Sequence, residues 1–118
     1  MANDADAPDA GDVLWLDFGP PTGHEQGGRR PALVLSGRPY NRQSSVLVVC
    51  PITRKARDWP FEVSLPAGGL IDGVVLVDQI KVVDPAARPI RRAGRLSHDI
   101  LNEVRARLAV LLGIPVSN

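Results

Sequence analysis

The chain has 118 residues, of which 44% are hydrophobic and 23% are charged, as is typical of a single globular domain. Its longest apolar runs are far shorter than the roughly 20 residues of a membrane-spanning helix, and its acidic start lacks the basic and apolar regions of a signal peptide. The single cysteine, Cys50, excludes an internal disulfide and favours a reducing, cytoplasmic setting. The apolar neighbours of Cys50 favour a buried structural thiol over a nucleophile.

The net charge of +1 conceals a strong asymmetry along the chain. Residues 1–28 contain no lysine or arginine, whereas residues 29–118 contain all 14 basic residues. A fold that gathers these cations would offer a positive surface to a polyanion. The alternative is a set of separate, solvated loop charges.

The order of apolar runs and turn residues predicts a mainly β structure. We expect a disordered acidic tail over residues 1–10 and a single domain over residues 11–118. Pro51 suggests a bulge or an edge in the third strand, and Asp78 needs a partner because it interrupts an apolar face. Strands are predicted at 12–18, 31–36, 45–53, 61–65, 73–84 and 90–96, with one helical turn within 37–44.

The C-terminal region has the pattern of one amphipathic helix. Ser97 is a favourable N-cap, and Gly113 followed by Pro115 ends the helix. Apolar residues recur at helical spacing, namely Ile100, Leu101, Val104, Leu108, Leu111 and Leu112. A small, strongly bent antiparallel sheet or partly open barrel, covered by this helix, is therefore the predicted fold.

The stretch from Gly23 to Ser36 joins a glycine-bearing polar loop to an apolar strand. It places Glu25 near Arg29 and Arg30, and arginine can hold a phosphate through two hydrogen bonds. An anion-binding site and a β-hairpin loop with solvated charges are both compatible with this pattern. His24 and His98 lie far apart, and no metal-ligand spacing or dinucleotide fingerprint is present, so neither a metal nor a cofactor is expected.

Several sequence blocks, in the same order, resemble the MazF/PemK family of toxin endoribonucleases. The resemblance extends over roughly residues 11–113. Its blocks are Gly11–Val13 with Trp15 and Asp17–Phe18, Gly23–Ser36, Tyr40–Asn41, Pro51–Thr53, Pro60–Val63, and Gly73–Val74 with Val77–Gln79.

The resemblance implies a PemK/CcdB-type SH3-like barrel with a C-terminal helix, usually a homodimer. It also implies a type II toxin–antitoxin toxin that cleaves single-stranded mRNA at specific sequences without a metal, leaving 2′,3′-cyclic phosphate and 5′-hydroxyl ends. The family's catalytic arginine and threonine fall on Arg30 and Thr53, and its functionally important loop glutamate falls on Glu25. A cognate MazE-like antitoxin is the implied protein partner.

The chemistry is consistent with these residue roles. The neighbouring 2′-hydroxyl of RNA supplies the nucleophile, so the protein needs to align the groups, move protons and stabilise a charged phosphorane. Arginine holds its proton strongly, so Glu25 is either the base or the partner of Arg30 in a structural salt bridge. The candidate RNA-binding residues are Arg29, Gln26, Arg54, Lys55, Arg57 and Gln79.

Two other functions remain open at the level of sequence. One is a non-catalytic, CcdB-like poison that binds a protein target on the same fold. The other is a plain RNA-binding module with a basic face. The presence of both Arg30 and Thr53 counts against the poison. Arg30→Ala distinguishes an enzyme from a binding module, because a module would lose affinity but has no turnover to lose.

Overall fold

A computed structural model describes residues 7–115 of the chain, and the structure within this range is mainly β. It contains seven strands, two α-helices and a 3-10 turn at Val77–Gln79. The elements are β1 (Asp12–Asp17), β2 (Arg29–Val34), α1 (Arg38–Ser44), β3 (Leu47–Thr53), β4 (Glu62–Ser64), β5 (Val74–Leu76), β6 (Lys81–Val83), β7 (Arg91–Arg95) and α2 (His98–Leu112).

The strands form one antiparallel sheet in the order β4-β5-β3-β2-β1-β7, with β6 also paired to β3. One side of β3 pairs with β2, while the other side pairs with β6 over Leu47–Val49 and with β5 at Ile52 and Thr53. Pro51 was predicted to mark a bulge or an edge, but β3 is a central strand. Pro51 lies where the neighbour of β3 changes from β6 to β5, so its missing N–H falls at an interruption of that ladder.

The predicted fold class is confirmed: the sheet is antiparallel and a C-terminal helix packs against it. Strands β4 and β7 form the two ends of the sheet within residues 7–115, so hydrogen bonds do not close it into a complete barrel. The sheet is better described as strongly bent and open. Neither helix in this range has the length and apolar character needed to cross a bilayer.

The two faces of the sheet carry separate apolar clusters. Alternation along a strand directs successive side chains to opposite faces, so Val13 joins one cluster and Leu14 the other. The first cluster includes Leu33, Ile52 and the buried helix residues Leu101 and Val104. The helix therefore covers one face only.

Helix α2 begins and ends as the sequence predicts. The Ser97 hydroxyl accepts a hydrogen bond from the Ile100 N–H at 3.3 Å, and Gly113 has the left-handed φ of 69°. However, Leu111 and Leu112, predicted to face the core, are 38% and 58% exposed. The apolar contacts of the helix with the core are made by earlier residues, among them Leu101, Val104 and Leu108.

The prediction of one continuous strand over 73–84 is wrong. The segment forms β5, then the 3-10 turn, then β6, because β5 and β6 pair with different halves of β3. The break turns Val82 outward, where it is 59% exposed. Asp78 has the expected partner: its Oδ2 accepts a hydrogen bond from the Trp59 indole at 2.9 Å.

The N-terminal segment contacts helix α1. Asp9 Oδ1 accepts a hydrogen bond from the Arg38 N–H at 2.9 Å, and Asn41 donates to the Pro8 carbonyl at 2.8 Å. The chain is therefore held in place from Ala7 onward, within the tail predicted to be disordered. Residues 1–6 of that tail and residues 116–118 lie outside the described range.

Candidate active site

Arg30 and Thr53 lie on neighbouring strands at the same level of the sheet. The β2–β3 ladder pairs Ala32 with Pro51, and continuing this register by two residues places Arg30 opposite Thr53. Both residues line a cavity of about 400 Å³. The structure therefore brings together the predicted arginine and threonine, which are 23 positions apart in the sequence.

Three further predicted cations line the same cavity: Arg29, Arg54 and Lys55. All three are exposed, so their charges can meet a ligand that enters from solvent. One carboxylate that sequence reasoning missed, Asp72, also lines the cavity. Its Oδ1 accepts a hydrogen bond from the Gly68 N–H at 3.2 Å. Cations dominate the site, and such a cavity suits an anion.

The Arg30 guanidinium is positioned by the backbone. Its Nε donates to the Gly27 carbonyl at 2.9 Å, which leaves its other N–H groups available. No carboxylate within residues 7–115 forms an ion pair with Arg30. The proposed structural salt bridge between Glu25 and Arg30 is therefore not formed.

The loop that supplies the Gly27 carbonyl is closed tightly on itself. Gly28 donates to the Gly19 carbonyl at 2.7 Å, and Phe18 donates to the Gly28 carbonyl at 2.9 Å. A Cβ atom on Gly27 would lie 2.6 Å from Pro21 Cδ and 2.7 Å from the Gly19 oxygen. Only glycine fits at Gly27, and the loop can therefore hold Arg30 in one orientation.

Glu25, Gln26 and Gln79 lie around a second cavity, of about 170 Å³. Gln79, predicted to bind RNA, uses both ends of its side-chain amide to hold the loop. Its Oε1 accepts from the Gln26 N–H at 2.8 Å, and its Nε2 donates to the His24 carbonyl at 3.3 Å. The structure therefore shows Gln79 as an anchor of the loop that carries Glu25.

Thr53 is buried, with 6% of its surface exposed. Its Oγ1 accepts a hydrogen bond from the Lys55 N–H at 3.2 Å, which leaves the hydroxyl hydrogen free to donate. On the other side, Gly73 approaches the Thr53 backbone so closely that a Cβ atom would lie 2.9 Å from the Thr53 carbonyl carbon. Thr53 is therefore contacted at its hydroxyl by Lys55 and at its backbone carbonyl by Gly73.

Arg57 is separated from the other predicted cations. It lines a third cavity, of about 430 Å³, with Trp59 and Asp78. Its backbone N–H donates to both oxygens of Glu62, at 3.0 and 3.1 Å. Glu62 was predicted on the polar face of its strand but is 8% exposed, because backbone amides of the preceding loop satisfy its carboxylate.

The single cysteine, Cys50, lines none of these three cavities. Cys50 is fully buried, and the loss of solvent raises the pKa of its thiol to about 12, with a smaller contribution from the Asp78 charge. This agrees with a structural role. Within residues 7–115, no group of three or more His, Cys, Asp or Glu side chains is arranged to hold a metal ion.

The first cavity is chemically equipped to bind and polarise a phosphodiester. Arginine can contact two phosphate oxygens at once, and the Thr53 hydroxyl can add a neutral hydrogen bond. Donors fixed in place before the ligand binds stabilise a developing negative charge without reorganisation. A bound phosphate bridging Arg30 and Thr53 would meet these conditions.

Comparison with known proteins supports this description. The sequence profile of one family, described as "PemK-like, MazF-like toxin of type II toxin-antitoxin system", matches residues 9–112. The endoribonuclease toxin MazF of Escherichia coli (strain K12) is 41% identical over 106 residues, which cover 90% of this chain and 95% of that protein. Endoribonuclease PemK of Escherichia coli is 38% identical over 106 residues, covering 86% and 80%.

Solved structures show the same fold. MazF (Form-I) from Deinococcus radiodurans matches with a TM-score of 0.85 and 48% identity, covering 91% of this chain and 97% of that one. A MazE-MazF structure (Form-II) from the same organism matches with a TM-score of 0.80 and 42% identity, covering 92% and 98%. Both matches extend over nearly the whole chain.

Proposed function

We propose that this chain, which belongs to the PemK-like, MazF-like toxin family of type II toxin–antitoxin systems, cleaves single-stranded RNA in the cavity between Arg30 and Thr53. The chain is an endoribonuclease of this family, as are its relatives at about 40% identity. The observation that supports the proposed site is the placement of Arg30 and Thr53 on one 400 Å³ cavity, with exposed cations at its rim.

The proposed reaction uses the RNA itself as the nucleophile. The 2′-oxygen attacks the adjacent phosphorus, the bond between phosphorus and the 5′-oxygen breaks, and the products carry a 2′,3′-cyclic phosphate and a 5′-hydroxyl. A base takes the proton of the 2′-hydroxyl, and the leaving 5′-oxygen gains a proton. Because the nucleophile is built into the substrate, we propose that the reaction is metal-independent.

Arg30 is proposed to bind the non-bridging phosphate oxygens and to stabilise the charge that grows on them. The Thr53 hydroxyl adds a hydrogen bond to the same oxygens. Preorganised donors of this kind typically contribute on the order of 100- to 1,000-fold in rate each. Arg29, Arg54 and Lys55 are proposed to hold the flanking phosphates, since they are exposed around the same cavity.

The base is proposed to be Glu25. Its loop is joined to Arg30 through the Gly27 carbonyl, but Glu25 lines the second cavity rather than the first. Asp72 already lines the cavity of Arg30 and Thr53 and is the rival base that the structure introduces. Replacing each carboxylate by its amide, in Glu25→Gln and Asp72→Asn, distinguishes the two candidates.

We further propose that cleavage is sequence-specific and occurs in the cytoplasm. Specific recognition of single-stranded RNA requires unstacked bases read by side chains, and we propose that the second cavity, lined by Glu25, Gln26 and Gln79, receives one of them. A cognate antitoxin is the proposed protein partner, as MazE is for the Deinococcus radiodurans MazF. A homodimer is the proposed assembly.

The test is cleavage of a mixed-sequence RNA by the purified protein in the presence of EDTA. We expect defined fragments with cyclic phosphate ends, and a loss of about 100- to 1,000-fold in kcat for Arg30→Ala. Arg105→Ala is the matched control, because Arg105 is an exposed arginine on α2 that lines none of the three cavities described above.

Each outcome of this experiment is informative. Cleavage that survives in Arg30→Ala would reject the proposed site. RNA binding without turnover in the wild type would favour a plain binding module, and neither binding nor turnover would favour a poison directed at a protein target.

A further inference from the structure

Trp59 is a large, exposed aromatic residue that follows Thr53 by six positions in the sequence. It is 49% exposed, although a large aromatic side chain gains free energy by burial. It lies in the 54–60 loop, which begins directly after Thr53 and carries Arg54, Lys55 and Arg57. An exposed tryptophan within a basic loop is a typical feature of surfaces that bind single-stranded nucleic acid.

The indole ring of Trp59 is held in one orientation. Its Nε1 donates to Asp78 Oδ2 at 2.9 Å, and its ring packs on Phe61 with a centroid separation of 5.8 Å and an interplanar angle of 54°. Asp78 thus holds the N–H edge of the indole, and Phe61 packs against the ring. These contacts leave half of the residue open to solvent without leaving it free to rotate.

The backbone of the 54–60 loop is fixed as well. The buried Glu62 carboxylate accepts hydrogen bonds from the N–H groups of Arg57 and, at 3.4 Å, Trp59. Arg107 of α2 donates to the Pro60 carbonyl. Asp58 has a φ of 55°, a left-handed conformation that non-glycine residues adopt only where their surroundings require it.

The cavity beside Trp59 suits part of a nucleotide. It has a volume of about 430 Å³ and is lined by Arg57, Trp59 and Asp78, so an aromatic residue and a basic residue border the same space. Asp78 also lines the cavity of Gln26 and Gln79, so it is common to the lining of the two cavities. Along the chain, the 54–60 loop connects Thr53 to this cavity.

We propose that Trp59 is a stacking platform for one unpaired base of the RNA substrate, with Asp78 as the residue that orients the indole and Arg57 as the contact for a neighbouring phosphate. This inference rests on the proposed ribonuclease function and adds a binding position to it. Any of the four bases can stack on an aromatic ring. Trp59 would therefore add binding free energy at one nucleotide and help to fix the position of the RNA strand on the protein. The chemistry at Arg30 and Thr53 is unaffected by this contact.

The test uses an oligonucleotide that contains the mapped cut site, with a 2′-deoxy nucleotide at the point of cleavage so that binding is measured without turnover. We expect Trp59→Ala to weaken binding by about 5- to 150-fold, the range observed for loss of one base–aromatic stack. Trp59→Phe retains a stacking ring and is expected to restore most of the affinity. Tyr40→Ala is the matched control, because Tyr40 on α1 is 48% exposed and lines none of the three cavities described.

An abasic scan locates the stacked base. Replacing single nucleotides by abasic sites should reveal one position where loss of the base weakens binding to the wild type but has no further effect in Trp59→Ala. With a cleavable substrate, we expect Trp59→Ala to raise KM and to leave kcat nearly unchanged. Asp78→Ala should raise KM less than Trp59→Ala does, because the ring remains but is less well oriented.

The outcomes distinguish this inference from the proposed function. If the wild type cleaves RNA while Trp59→Ala binds and cleaves like the wild type, the stacking role is rejected and the ribonuclease function stands. A Trp59→Ala variant that loses only the binding of a co-expressed antitoxin would also reject it, since Trp59 would then contact protein. If the wild type binds no RNA, both proposals fail together.

Discussion

Gly73 lies directly against the backbone carbonyl of Thr53. A Cβ atom on Gly73 would be 2.9 Å from the Thr53 carbonyl carbon and closer still to its oxygen, and Gly73 has a φ of 126°. The strand that carries the threonine is therefore packed against a residue whose lack of a side chain makes the contact possible. This contact links the start of β5 to the geometry of the candidate site.

We expect Gly73→Ala to displace Thr53 and to reduce ribonuclease activity. The substitution adds a clash with backbone to the strain of a left-handed residue, which itself costs about 1–3 kcal/mol of unfolding free energy. Gly68→Ala is the control, because Gly68 also has a positive φ, of 74°, but has open space around it. Urea unfolding measures both costs, and equal activity in the two variants would contradict the proposed contact.

The Thr53 hydroxyl is expected to act as a donor to the phosphate. Thr53→Val keeps the shape of the side chain and removes the hydroxyl, so kcat should fall on the order of 100-fold. Thr53→Ser retains the hydroxyl and should retain most of the activity. Steady-state kinetics on a short RNA distinguishes the two variants, and a Thr53→Val enzyme with normal kcat would exclude a catalytic hydroxyl.

The identity of the base can be decided by comparing Glu25→Gln with Asp72→Asn. Each substitution keeps the size of the side chain and removes its capacity to take a proton. A missing general base typically costs on the order of 100- to 10,000-fold, and we expect this loss in kcat for Glu25→Gln only. A large loss of kcat in Asp72→Asn with an active Glu25→Gln would transfer the role to Asp72.

Asp9 is expected to make the stability of the fold sensitive to acid. The hydrogen bond from the Arg38 N–H is the largest cause that lowers the pKa of Asp9, ahead of the bond from Ala10, and partial burial opposes it. A lowered native pKa contributes stability that is fully present above the pKa of the unfolded chain and is lost as pH falls through the native value.

Asp9→Asn should therefore be less stable than the wild type at neutral pH, and the difference should shrink as the solution becomes strongly acidic. Denaturant unfolding at a series of pH values measures this difference. A difference that does not change with pH would show that the Asp9 charge contributes nothing.

Cys50 is expected to be inert in the folded protein. Burial raises the pKa of its thiol to about 12, so almost no thiolate is present at mildly alkaline pH, and the thiolate is the reactive form. A thiol reagent should modify the protein only after denaturant is added. Rapid modification of the native protein would contradict the buried position.

The terminal helix and the positions of most strands along the chain could be predicted from the sequence because local patterns encode them. Ser97 and Gly113 mark the ends of α2 through hydrogen bonding and backbone conformation, which depend on neighbouring residues alone. The break between β5 and β6 could not be predicted, since it reflects pairing with different parts of the distant strand β3. The burial of Glu62 was missed for the same reason, because its partners are amides of a folded loop.

The sequence by itself determined the family, the mainly β fold and the residue types of the candidate site, since these follow from local pattern and from motifs. Only the tertiary structure decided which of those residues meet. The β2–β3 register places Arg30 with Thr53, whereas loop closure places Glu25, Gln26 and Gln79 around another cavity. Pairing between distant strands and the close approach of Gly27 and Gly73 to neighbouring backbone fix these distances, and neither is encoded in the spacing of residues along the chain.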